Sequence, residues 1–424
     1  MKHVLTLFAM ILALIPVPAV RAQDAAESKG GVRNTVRALD RKGGLLEHSV
    51  WGMLAVNFKG DTIVSLNKGR CMVPASNMKL ITTAAAYLKL GRTYTFKTTL
   101  ATDGSVCDST LRGNLYIIGG GDPLIGDLFP YLPKEDVPFG KWRKVLVDNG
   151  IHRIEGNIVG DGSYFVGELR HTDWSTEDER SKDGVVPSGL TWRGKMGDSI
   201  PDGPLAAAVH FRQWLISNGI PVSGISAAAH ADSLTILGSA QSATLNHIAG
   251  IANRYSDNFC AETLLKAIGK ANNGSDDYDS ATAALHRALS PIGLAGPSAA
   301  MRFADGSGLS RKNYVSPEFF VRLLTAMNRT GCYKDYLNSL PRPGRKDGTL
   351  TTRLPKAPQE VKNRIYMKSG SMNGVRCFSG YILPSDGDTR KTIAFSLMVN
   401  NFVGRQAELA PILDNIIFEL SNEN

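Results

Sequence analysis

Pro74-Ala75-Ser76-Asn77-Met78-Lys79-Leu80-Ile81-Thr82-Thr83-Ala84-Ala85-Ala86-Tyr87-Leu88 is the stretch from which the fold and the chemistry of this chain can be read. It opens on a proline and is followed by Gly91, the punctuation of a helix with proline inside its start and glycine past its end. From Ser76 to Leu88 the one charged residue is Lys79. A helix apolar on every side is a buried helix, and a lysine inside one needs a chemical reason. Ser76 and Lys79 stand three apart and share a face. Ser76 also falls in the first turn, where free backbone N–H groups and the positive end of the helix dipole gather. Burial and that dipole both disfavour an ammonium, and a neutral amine beside a hydroxyl activates serine without histidine.

S-x-x-K alone is weak, since a second copy, Ser65 to Lys68, spans a strand end and a turn. Two further motifs add weight. Ser256-Asp257-Asn258 opens an apolar helix, where serine or asparagine would equally serve as a plain cap. S-x-N also occurs at Ser65–Asn67 and Ser371–Asn373. Lys368-Ser369-Gly370 is the one K-[S/T]-G in the chain; it follows a strand-like run from Ile365, and its glycine is expected to let a substrate backbone lie close to the strand edge. The order S-x-x-K, S-x-N, K-[S/T]-G, each in a fitting element, is far rarer than any member.

With these three motifs the sequence resembles the penicillin-recognising serine enzymes. It is most similar to the exported D-alanyl-D-alanine carboxypeptidase/endopeptidase family, the class C low-molecular-mass penicillin-binding proteins. Gly119-Gly120-Gly121-Asp122-Pro123, Gly160-Asp161, Asn258 through Ala261-Glu262, Asp305 through Ser310, and Asp347 through Leu350 with Arg353 carry the likeness further, over residues 35–420. The resemblance implies an α+β fold: a penicillin-binding-protein/β-lactamase-like transpeptidase domain, an antiparallel sheet flanked by helices. It implies Ser76 as the acylated nucleophile, Lys79 as its base and Ser256 as a proton relay. Asn258 would hold the peptide, and Lys368 and Ser369 would meet its terminal carboxylate. The N–H groups of Ser76 and Ser371 would form the oxyanion hole. Implied partners are peptidoglycan stem peptides and, as covalent inhibitors, β-lactams; no cofactor is implied. Serine stands at 369 where the family usually has threonine. Only 180 positions separate Ser76 from Ser256, so an insertion is missing or trimmed relative to members with two inserted domains.

Outward from the motifs, the chain has 424 residues, room for two or three domains of about 100–200 residues. With 43% hydrophobic and 21% charged residues, the balance is that of a globular protein. A formal charge of +9 is spread without a basic block, which does not indicate nucleic acid but suits a polyanionic surface such as a cell wall. Lys2, the apolar run Val4–Val20 and Val20-Arg21-Ala22 read as a secretory signal peptide cut after Ala22, and no later run is long enough to span a bilayer. The expected location is therefore periplasmic, with no transmembrane anchor. Five cysteines leave at least one unpaired within the chain, and most are expected to be buried, inert thiols; no histidine spacing supports a metal site. The segments are expected as signal peptide 1–22, first transpeptidase part 23–93, a mostly β insertion 94–245, and second transpeptidase part 246–424. The triglycine lacks the lysine of a phosphate loop and is expected to be a tight turn, and Asp305-Gly306-Ser307-Gly308 a structural loop near the cleft.

The alternatives are a β-lactamase, a non-catalytic cell-wall-binding protein and a generic esterase, and missing residues weigh against the first and the last. A class A β-lactamase would carry a deacylating glutamate in E-x-x-L-N, and an esterase a G-x-S-x-G elbow; neither string occurs. A non-catalytic wall-binding protein has no need of three intact motifs.

Overall fold

In the computed structural model, residues 31–41, 46–126, 138–175, 186–193, 202–294 and 300–423 are described. The signal-peptide segment lies outside them. In chain order the elements begin with α1 (Val32–Arg41), β1 (Val50–Asn57), β2 (Thr62–Leu66), a 3-10 turn at Ala75–Asn77 and α2 (Met78–Lys89). There follow β3 (Thr95–Thr102), β4 (Ser105–Cys107), β5 (Thr110–Arg112), β6 (Leu115–Ile118), α3 (Phe139–Asp148), β7 (Arg153–Glu155) and β8 (Ile158–Asp161). Next are α4 (Gly203–Ser217), β9 (Ser226–Ala228), β10 (Thr235–Thr244), α5 (Leu245–Arg254), α6 (Asn258–Asn273), α7 (Tyr278–Ala288) and α8 (Pro317–Met327). The chain closes with α9 (Tyr333–Asn338), α10 (Gln359–Arg364), β11 (Ile365–Met372), β12 (Val375–Ile382), β13 (Ile393–Asn400) and α11 (Gln406–Leu420).

The two ends of the chain share one sheet. Its order is β11-β12-β13-β1-β2, antiparallel throughout, with Val50 opposite Asn400 and Lys368 opposite Ser379. The central strand β13 reads as an almost unbroken apolar run because both its faces are covered. Ile393, Phe395, Leu397 and Val399 face one way, onto Leu409, Leu413, Ile416 and Leu420 of α11. Ala394 and Met398 face the other way, into the core built on α2, α6 and α7. This period of two places α2 and its serine on one side of the sheet and the terminal helix on the other.

The strands of the other two sheets all come from residues 95–244. One has the order β10-β3-β6-β8-β9, antiparallel from β10 to β6 and parallel from β6 to β9; the small one has the order β4-β5-β7. Leu100, Ile117 and Ile158 of the larger sheet pack on Phe139, Trp142, Phe211 and Leu215 from α3 and α4. The run Ile154–Val159, which reads as one strand, is divided between the two sheets. The division falls at Gly156, where a Cβ would lie 2.0 Å from the Gly113 carbonyl oxygen. The triglycine, expected as a tight turn, is instead a stretch where backbones cross, with the Gly119 N–H on Asp161 O and the Gly121 N–H on Gly189 O. A Cβ on Gly119 would meet Gly189 O at 2.2 Å and one on Gly120 would meet Lys97 O at 2.1 Å, while Gly121 has φ +92°. Asp122 steadies the turn that follows by accepting the Leu124 N–H at 2.9 Å.

The cysteines correct an expectation. Cys260 and Cys377 are buried, but Cys71 and Cys332 are half-buried and Cys107 is exposed, and none forms a disulfide. Among the described residues no helix is long and apolar enough to cross a membrane.

Candidate active site

The expected helix at Pro74 begins as the tight 3-10 turn Ala75–Asn77, and regular α2 starts only at Met78. Ala75 has φ +46°, a left-handed conformation that costs a non-glycine residue about 1–3 kcal/mol. Neighbouring backbone holds it there. A Cβ on Gly308 would sit 1.9 Å from the Ala75 oxygen, and one on Gly370 would sit 2.4 Å from the Pro74 oxygen. Asn77 Nδ2 donates to Ser379 Oγ at 2.7 Å, and Ser379 Oγ donates to Ser396 Oγ at 2.8 Å, tying the turn to the sheet. Ser76 is thus presented half-buried between the β11 edge and the helical lobe.

Gly370 therefore has a different duty from the one its motif suggests. Its missing side chain makes room for the Ser76 turn rather than for a substrate backbone. Gly370→Ala should lower stability by about 1–3 kcal/mol, the usual cost of overpacking, and should slow acylation; thermal melting alongside penicillin labelling checks both.

Lys79 is fully buried, and its Nζ lies among three oxygens: Ser76 Oγ at 2.9 Å, Asn258 Oδ1 at 2.6 Å and the Ser307 carbonyl at 2.7 Å. The first was legible in its motif, whereas Asn258 was expected on the substrate peptide rather than on Lys79. The third was not legible, because a backbone oxygen has no sequence signature; the glycine-rich composition of the Asp305–Gly308 stretch was the only hint. That loop is structural, as expected, but its backbone also enters the site. Glu262 accepts the Gly306 and Ser307 N–H groups at 3.1 and 2.7 Å, and Thr82 Oγ1 donates to Gly306 O at 2.7 Å. Burial, reinforced by the neighbouring Asp305, pushes the Glu262 carboxyl well above the ordinary carboxylate range.

The second motif is arranged so that its middle residue does the capping. Asp257, not Ser256 or Asn258, is the N-cap of α6, accepting the Cys260 N–H at 2.8 Å. That leaves the two flanking side chains for the site. Ser256, held at φ +59°, accepts from Lys368 Nζ at 2.9 Å, while Asn258 reaches Lys79. Lys368 is fully buried and also donates to the Ser369 carbonyl at 2.8 Å. Burial, then the like charges of Lys79 and Arg376, drive its amine well below the ordinary lysine value. Ser369 Oγ lies 3.2 Å from Thr349 Oγ1, and Ser371 is exposed farther along the same strand.

β11 is an edge strand, and the way its N–H groups point can be derived. Met367 donates outward to Pro341 O at 3.1 Å, and alternation by two turns the N–H groups of Ser369 and Ser371 to the same open side. The six motif residues thus lie on four neighbouring elements, the Ser76 turn, the first turn of α2, the start of α6 and the β11 edge, with Ser371 farther along that edge.

The sequence pattern of the D-Ala-D-Ala carboxypeptidase 3 (S13) family matches residues 33–196 and 193–415. The chain belongs to the S13 family. It is a serine-type D-Ala-D-Ala carboxypeptidase in class. This S13 peptidase is 27% identical to the D-alanyl-D-alanine carboxypeptidase of Actinomadura sp. (strain R39) over 480 aligned residues, covering 93% of this chain and 86% of that one. Its fold superposes on penicillin-binding protein 4 of Haemophilus influenzae with a TM-score of 0.74 at 22% identity, covering 92% of this chain and 98% of that one. A predatory peptidoglycan endopeptidase of Bdellovibrio bacteriovorus gives 0.57 at 17% identity, with 89% and 93% covered. The antiparallel sheet with flanking helices is therefore the family fold of this S13 peptidase.

Proposed function

We propose that Ser76 is the residue acylated during cleavage of the D-Ala-D-Ala bond of peptidoglycan stem peptides. The observation that carries this reading is the Lys79 amine, buried and within hydrogen-bond reach of both Ser76 Oγ and Asn258 Oδ1. In its neutral form Lys79 takes the Ser76 proton as Oγ attacks the penultimate D-Ala carbonyl carbon. The Ser76 N–H, in the first turn, and the Ser371 N–H, on the open edge, receive the oxyanion. Ser256, hydrogen-bonded to Lys368, relays the proton taken up by Lys79 to the departing D-Ala nitrogen as the C–N bond breaks, receiving one as it gives one, and leaves an ester on Ser76. Water then attacks the ester and restores the hydroxyl. Asn258 holds the peptide, and Lys368 with Ser369 receives the terminal carboxylate. A D-Ala–meso-diaminopimelate cross-link offers the same acyl carbonyl, so endopeptidase action uses the same residues, and β-lactams acylate Ser76.

Around this site we assign residues 1–22 to an export signal, 23–93 and 246–424 to the transpeptidase domain and 94–245 to the insertion. The working location is the periplasm, free or peripherally held to the wall or membrane. The shared main sheet of the two termini supports that division.

Release of D-alanine from a stem pentapeptide tests the reaction, and its pH dependence tests the carboxylate site. Recognition of a carboxylate needs Lys368 as ammonium, and the lowered amine loses its proton well before pH 10.5. KM for the peptide should accordingly rise as pH climbs through that lowered range, whereas a peptide ending in a neutral amide should show no such rise. A KM independent of pH for the acid peptide would remove Lys368 from carboxylate binding.

A further inference from the structure

The inserted segment reaches the two groups that accept hydrogen bonds from Lys79, by two separate routes. On one side is Arg193. Its backbone N–H is bonded to Ile125 O at 2.8 Å and its Nη1 to Pro123 O at 3.3 Å, so it is fastened within the segment. Its guanidinium grips the Asp257 carboxylate in a fork, at 2.8 Å from Nη2 and 3.3 Å from Nη1, and lies 4.7 Å over the Phe259 ring. Asp257 is the cap immediately before Asn258. Burial works against its charge, but Arg193 and the Cys260 N–H outweigh that and hold the carboxyl below its ordinary range.

On the other side is Trp174. Its indole N–H donates to Asp305 Oδ2 at 2.9 Å. The other Asp305 oxygen accepts the Gly308 N–H at 2.8 Å. That N–H belongs to the same peptide group as the Ser307 carbonyl bonded to Lys79. A carboxylate on the N–H of a peptide strengthens its carbonyl as an acceptor. The neighbouring Asp173 pairs with Lys312 and Arg302 of the same lobe, so the contact is pinned from both directions.

We propose that Arg193 and Trp174 are positioning residues through which the inserted segment orients Asn258 and the Ser307 carbonyl around Lys79. The segment is then part of the acylation machinery, beyond any role in recognising the peptide. This inference rests on the assignment of Ser76 and Lys79 given above.

The experiment uses the full chain with a fluorescent penicillin, separating non-covalent Kd from the acylation rate constant. Variants are Arg193→Met, Arg193→Lys and Trp174→Phe, each first melted to establish folding. Misplacing a group near the reacting atoms by ~1 Å costs ~100-fold. Arg193→Met should slow acylation by about 10- to 100-fold with Kd within about threefold, and Arg193→Lys should recover part of the loss by restoring the charge without the fork. Trp174→Phe should slow it about tenfold. If the folded variants acylate within twofold of wild type, or lose only Kd, or if Arg193→Lys recovers nothing, the inference is wrong. Should Arg193→Met not fold, Trp174→Phe and Arg193→Lys decide by the same readouts. Ser76→Ala is run beside them: if it still labels, the assignment of the nucleophile fails, whereas an unlabelled Ser76→Ala with normal Arg193 and Trp174 variants overturns the positioning role alone.

Discussion

Ser76→Ala is expected to fold and melt like wild type yet form no covalent adduct with penicillin. The folding half follows from how little the hydroxyl supports. Ser76 is half-buried, its Oγ bonds to Lys79 Nζ, and a hydrogen bond of that kind contributes about 1 kcal/mol. Lys79 keeps the Asn258 and Ser307 acceptors when the hydroxyl is gone. The chemical half follows because the adduct is the ester of that oxygen. Loss of a nucleophile removes at least ~10⁴-fold in rate, leaving binding and electrostatic stabilisation behind. Wild type should show a labelled band that persists for minutes or longer. Labelling of Ser76→Ala at a normal rate would place the nucleophile elsewhere, and rapid turnover of the drug by wild type would make the protein a β-lactamase in practice.

The second large effect belongs to Lys79. Lys79→Arg should cut acylation by about 10³-fold or more, because a guanidinium does not give up its proton to become a base and does not fit the ammonium's place among three oxygens. Lys79→Met separates the two causes. It removes the base while keeping an unbranched chain in the buried slot, so acylation should be lost to a similar extent with less structural disturbance. Mass spectrometry of the penicillin adduct over time gives both rates. A Lys79→Met variant acylated within tenfold of wild type would transfer the role of base to another group.

How far the sequence carries can be judged from particular elements. Thr392–Asn400 reads as a strand in the sequence, and β13 spans Ile393–Asn400, nearly all apolar because both its faces are covered. Gln406–Leu420 reads as an amphipathic helix in the sequence, and α11 has the same bounds. The helix Val32–Arg41 is not legible in the sequence, since its buried stripe amounts to Val32 and Val36 with half-buried Leu39 among polar residues. The break at Gly156 is not legible either. It is imposed by the Gly113 backbone, 43 positions earlier, and nothing local announces it. Within the site, side-chain motifs were legible, whereas Asp257 as the cap and the Ser307 carbonyl as an acceptor were not.

What the sequence determined by itself is the chemistry: a serine one helical turn from a lone lysine in an apolar segment, with two companion motifs in the right order. Side-chain identity and short spacing are local properties, so they survive without coordinates. Only the tertiary structure decided that Gly370 and Gly308 clamp the Ser76 turn, and that Lys368 meets Ser256. The same holds for the contacts of Trp174 with Asp305 and of Arg193 with Asp257. Those are contacts between backbone groups and between positions up to 296 residues apart, and they exist only once the core has brought the strands and helices together.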